Sequence, residues 1–231
     1  MENALPHERL VNFDKRLWTL EGRLPKGPMS RNMVVYKMDD GGVLIHSCIT
    51  VHDGTQRQIE SLGKPKVLIV PSPLHRLDAP AYKSEYPDIL VVAPKAAIAK
   101  VSEKVKVDGS CEELLPKFKI GVHAIPGVKP TELAYELALS DGGKALVVND
   151  ALMNIPHIAT PGGWLMRLLG STGFFGMTRI GKMMLLQDKK AFKAWLEQWA
   201  ADPNLKLVTV SHGLRIDENV SEKIRQAAAR L

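Results

Sequence analysis

The sequence is short of thiols. Its two cysteines, Cys48 and Cys111, stand far apart, and neither has a second cysteine near it. That excludes a Cys-x-x-Cys metal knuckle, a redox pair and a small disulfide scaffold, and lone thiols suit a reducing compartment. Long apolar runs are missing as well. No stretch approaches the roughly 20 residues needed to cross a bilayer. The first nine residues carry Glu2, His7, Glu8 and Arg9 with no apolar core. They do not read as a secretory signal, so a cytoplasmic protein is expected. A run of Lys or Arg is also lacking and the net charge is only +6. Nucleic acid is therefore not an expected partner. Internal repeats and low-complexity tracts are absent. What remains is ordinary globular composition, 45% hydrophobic and 24% charged over 231 residues, which is ample for a buried core.

The apolar pattern gives a mixed α/β order. Met33–Met38 and Val43–Ser47 flank Asp39-Asp40-Gly41-Gly42 and read as a β-hairpin. Residues 55–62 form a helix ended by Gly63. Val67–Val70 and Ile89–Ala93 are continuous apolar runs stopped by prolines, as buried strands are. Helices are expected over 79–86 and 96–101. In the second half, strands are expected over 118–124, 145–148 and 205–210. Residues 131–139 alternate like a strand yet carry the Ala and Glu content of a helix. Phe192, Trp195, Leu196 and Trp199 recur at 3–4 spacing and mark an amphipathic helix over 188–201. A closing helix spans 221–231. Hairpins followed by strands alternating with helices imply two sheets with helices outside.

Three of the expected strands run into a residue that can titrate or coordinate: His75, Asp150 and His212. Ligand sites in layered α/β folds gather beyond strand ends, where loops converge over a rigid base. Asp78 lies three residues after His75 at a strand-to-helix junction, and imidazole with carboxylate suits a borderline cation such as zinc or iron. Each residue also has a plain structural reading. His75 is a core or surface histidine, Asp150 a helix cap or turn former, and His212 an imidazole held by a neighbouring carbonyl.

The layout Gly-Gly-Val-Leu-Ile-His (41–46), Pro-Ser-Pro-Leu-His-Arg-Leu-Asp (71–78), Ile-Pro-Gly (125–127), Leu-Val-Val-Asn-Asp (146–150) and Val-Ser-His-Gly (210–213) resembles the metallo-β-lactamase-fold hydrolases. More narrowly it is similar to the uncharacterised DUF4336 branch, with Leu17–Gly22, Arg31–Val35 and Gly41-Gly42 matching its opening. The likeness covers about residues 15–215. It implies one domain, 1–231, with a four-layer αββα sandwich. The family's first motif, His-x-His-x-Asp-His, falls on Pro73, His75, Leu77 and Asp78, and its third-strand histidine falls near Val128. Its bridging aspartate falls on Asp150 and its last histidine on His212. His75, Asp78, Asp150 and His212 thus remain as metal ligands, enough for one zinc or iron ion and too few for two. The implied activity is hydrolysis of an ester, thioester, lactone or phosphodiester in a small-molecule substrate, with Asp150 as the catalytic base. The rival reading is a degenerate, metal-free relative that binds a ligand or partner. His46 and Ser47 stand where many relatives brace the site floor with an aspartate; a buried, hydrogen-bonded histidine is the plain alternative. His123 reads as structural.

Residues 164–193 carry six cations against one carboxylate, Asp188. Their first half is apolar, Met-bearing and punctuated by glycine. As a lid this segment would offer Arg167 or Arg179 to an anionic substrate group. As a surface, residues 164–183 would serve a dimer or a membrane contact. As a packed cap they would need no partner at all.

Overall fold

The computed structural model describes residues 4–231. The chain forms two compact units, the first comprising residues up to Pro25 with Arg31–Val122, the second Lys26–Ser30 with His123–Leu231.

The first unit is built on a seven-stranded sheet in chain order: β1 (Val11–Asp14), β2 (Leu17–Arg23), β3 (Ser30–Lys37), β4 (Val43–His46), β5 (Pro65–Ile69), β6 (Leu90–Ala93) and β7 (Gly109–Ser110). The expected hairpin is β3–β4, antiparallel with Val35 opposite Ile45. From β4 onward the strands run parallel. Parallel neighbours need crossovers, supplied by α1 (Asp53–Leu62), α2 (Ala79–Glu85) and α3 (Ile98–Ser102); α4 (Cys111–Leu114) follows β7. Alternate strand residues Val35, Ile45, Leu68 and Val91 join Ile59, Tyr82 and Val101 of the helices in one buried core. Cys48 and Cys111 are buried free thiols.

The second unit holds a four-stranded sheet in the order β11–β10–β9–β8, from β8 (Gly121–Ala124), β9 (Leu133–Ala138), β10 (Lys144–Val148) and β11 (Leu205–Val210). The two-way reading of 131–139 resolves as strand. β9 pairs antiparallel with β10 from Ala138↔Lys144 to Ala134↔Val148, so pairing overrides the helical content of Ala and Glu. The strand expected from Phe118 starts instead at Gly121, because Leu115–Phe118 forms a 3-10 turn ended by Lys119 at φ 59°. Helices α5 (Pro161–Leu168), α6 (Arg179–Leu185), α7 (Lys189–Ala200) and α8 (Val220–Ala229) complete the unit. Phe192, Trp195, Leu196 and Trp199 of α7 pack with Ile224 of α8 on Leu146, Val148, Val208 and Val210 of the sheet. Among the described residues no helix is long and apolar enough to cross a membrane.

Gly127 fastens the start of α7. It sits at φ +76°, where a Cβ would lie 2.0 Å from the Asp188 carbonyl oxygen, and its own carbonyl accepts from the Gln187 and Asp188 amides. Gly127→Ala is expected to cost about 1–3 kcal/mol in backbone strain alone, and displacement of α7 adds to it. A thermal melt followed by circular dichroism should show a midpoint several degrees lower.

Candidate metal centre

In the second unit, strand register brings two of the expected residues together. β10 and β11 are parallel with Val148 opposite Val210. Asp150 and His212 each lie two residues beyond that pair, so matched spacing delivers them side by side. His212 Nε2 stands 3.4 Å from Asp150 Oδ1, with both side chains about nine-tenths buried. His212 Nδ1 lies 2.6 Å from the Ser30 carbonyl oxygen. A carbonyl only accepts, so Nδ1 carries the hydrogen, and Nε2 faces Asp150 as a donor when the ring is protonated and as an acceptor when it is neutral. A proton on the ring makes this contact an ion pair, and a cation can take the proton's place. The plain reading of His212, a histidine held by a carbonyl, describes Nδ1, while Nε2 is engaged with Asp150.

A residue that the sequence reading did not single out holds this corner. Glu132 is buried and accepts from Asn149 Nδ2 at 3.1 Å and from the Asp150 amide at 3.0 Å. Ser211 Oγ donates to Asn149 Oδ1, so the network ties both strand ends together. Burial, and then the Asp150 charge, push the Glu132 carboxyl up to about 8. The signal for it was a lone carboxylate heading an apolar strand, a group that cannot be buried unsatisfied.

In the first unit, β5 runs into a turn in which the His75 amide donates to the Ser72 carbonyl. His75 Nδ1 is 3.0 Å from Ser47 Oγ. Ser47 follows β4 at φ 54°, a left-handed conformation that a short polar residue tolerates. Its neighbour His46 is fully buried, and that burial together with the nearby His75 lowers its pKa to about 3, so the ring is neutral.

Asp78 is engaged within the first unit. Its Oδ2 receives Arg31 Nη2 at 2.5 Å and the Thr50 amide at 3.2 Å. A guanidinium and an amide thus engage one oxygen of this carboxylate, and Asp78 is not in the group formed by His75, Asp150 and His212. Burial and the Asp78 charge also push the Cys48 thiol up, which makes it unreactive. Leu77 is exposed, while Val128 is a core residue. His123 Nε2 is 3.1 Å from Glu136 and packs edge-on against Trp199, as a structural histidine would. Arg167 and Arg179 are exposed on α5 and α6.

No family model and no curated protein matches the sequence. Solved structures do match. DIM-1 metallo-β-lactamase is 13% identical with a TM-score of 0.63, over 98% of this chain and 99% of that one. A metallo-β-lactamase from Erythrobacter litoralis with β-mercaptoethanol in its active site is 13% identical with a TM-score of 0.62, over 98% and 100%. FIM-1 from Pseudomonas aeruginosa in its mono-zinc form is 11% identical with a TM-score of 0.61, over 98% and 96%. The chain therefore has the metallo-β-lactamase fold; identities this low speak to fold alone.

The buried Arg31–Asp78 pair gives a direct test of the assignment made for Asp78. Removing one member strands a charge, so Arg31→Met is expected to cost about 3–5 kcal/mol. Adding Asp78→Asn should restore part of that loss, as read from urea unfolding midpoints.

Proposed function

We propose that the protein is a metal-dependent hydrolase in which His75, Asp150 and His212 hold one zinc or iron ion. The observation that carries this reading is the approach of His212 Nε2 to Asp150 Oδ1 at 3.4 Å in the second unit, with the far imidazole nitrogen held by the Ser30 carbonyl. The donor set fits: two imidazole nitrogens and a carboxylate oxygen suit a borderline divalent cation, and three protein ligands define an open site. When bound, the ion would supply Lewis acidity and bring water's pKa towards neutrality.

The chain's own residues supply the rest. Ser47 Oγ and the Ser30 carbonyl each engage the Nδ1 of a histidine and so orient the two rings. Asp150 accepts a proton from the attacking water at a carboxylate oxygen. The Glu132–Asn149–Ser211 network holds the Asp150 main chain. The reaction class is hydrolysis of an ester, thioester, lactone or phosphodiester in a small molecule. Arg167 or Arg179 is the candidate receiver of an anionic substrate group. The narrower likeness to the DUF4336 branch, and a cytoplasmic setting suggested by two buried free thiols, belong to the same proposal.

A second reading has specific support. Pro73, Leu77 and Val128 occupy the family's ligand positions, and Asp78 is paired with Arg31. These features favour a metal-free relative that binds a ligand or partner. Elemental analysis of protein purified without chelators separates the two readings. About one zinc or iron per chain is expected, lost in Asp150→Ala and His212→Ala with the circular dichroism unchanged. Metal kept in both variants, or none in the parent, would overturn the proposal. Ser47→Ala should weaken metal affinity by about 10–100-fold in a chelator competition.

A further inference from the structure

Helices α5 and α6 invert the usual amphipathic arrangement, in which a surface helix buries its apolar stripe. Each of them instead packs inward through a glycine. A Cβ at Gly163 would lie 2.1 Å from the Ile158 carbonyl oxygen, and one at Gly181 would lie 3.2 Å from Met177. The apolar residues at 3–4 spacing lie outside. They are Trp164, Leu165 and Leu168 on α5 and Ile180, Met183 and Met184 on α6, with Trp164 73%, Leu168 78% and Met183 81% exposed. The helices adjoin where the Arg179 side chain lies against Gly170, just past the end of α5.

The charge here has one sign. Residues 151–187 contain no Asp or Glu, while Arg167, Arg179 and Lys182 lie within them and Lys189 and Lys190 follow. Lys182 donates to the Arg230 carbonyl. The exposed cations beside the stripes are thus Arg167 and Arg179.

We propose that the α5–α6 face docks on an anionic lipid bilayer. Leucine and methionine side chains would enter the acyl boundary, the Trp164 ring would sit in the interfacial zone, and the arginines would meet lipid phosphates. Helices of 8 and 7 residues lie on a membrane and do not cross it. A second copy of the chain suits this face less well. Two-fold pairing would oppose like arginines with no carboxylate in 151–187 to neutralise them. The inference stands apart from the metal proposal.

The test is flotation of the full chain with vesicles of phosphatidylcholine and phosphatidylglycerol, against vesicles of phosphatidylcholine alone. Binding is expected only with the anionic vesicles and should fade at high salt. A blue shift in tryptophan emission should accompany it and vanish in Trp164→Phe. Replacing both Arg167 and Arg179 by glutamine should lower the partition coefficient about 30-fold, fivefold or so per cation. Leu168→Ser with Met183→Ser should abolish binding, and circular dichroism should be unchanged because both residues are exposed. No flotation with anionic vesicles, equal flotation with neutral ones, or binding indifferent to both double variants would overturn the proposal. So would a dimer, seen by sedimentation without vesicle binding, that Leu168→Ser with Met183→Ser dissolves.

Discussion

The parallel register of β10 and β11 is the constraint from which the chemistry of the second unit follows. Val148 opposite Val210 puts the two strand ends level, and each strand then supplies one polar side chain at the same distance beyond. A one-residue slip would send one of the pair to the other face of its strand. The sequence carries no local feature that draws Asp150 towards His212. Their meeting at 3.4 Å is a consequence of strand pairing, which depends in turn on the core that α7 and α8 build against the sheet.

That corner is held by polar groups that must satisfy one another, because water cannot. Glu132 answers two donors of the Asn149-Asp150 bend, and Asn149 answers Ser211 from the neighbouring strand. Removing any partner would leave a buried donor or acceptor unpaired, at about 1–3 kcal/mol each. The first unit solves the same problem with fewer parts. There Ser47, turned into a left-handed conformation, meets His75, and Arg31 meets Asp78. In both units an oxygen at Nδ1 fixes how an imidazole is presented.

What was legible in the sequence follows from these physics. Apolar runs ended by Pro, Gly and Asp-Gly gave the strands and the β3–β4 hairpin, because turn chemistry and buried strands leave local marks. His75, Asp150 and His212 stood out through position at strand ends, which is also local. The pairing of Asp78 was hidden because its partner, Arg31, is 47 positions away in the chain. Nothing within Pro73–Ala79 reveals an arginine brought in by β3. Glu132 was passed over for a related reason: its donors come from the other end of the β9–β10 hairpin. The 131–139 ambiguity was likewise settled by cross-strand pairing, against a composition that favours helix. Long-range partners are what a linear reading lacks, whereas the later start of β8 comes from the local turn at Leu115–Phe118.

Charge sets the character of the proposed metal centre. Glu132 is drawn towards its neutral form by burial and by Asp150, so the corner resists carrying two negative charges. Asp150 is then the main anion among the proposed ligands, and the histidines contribute neutral nitrogens. A divalent ion held by one carboxylate and two imidazoles keeps a net positive charge, whereas several carboxylates would cancel it. Net positive charge is what a hydrolytic site needs where negative charge develops on a carbonyl or phosphoryl oxygen. With His75, Asp150 and His212 as its donors, the proposed centre would hold one ion and leave it the positive charge that the proposed chemistry needs.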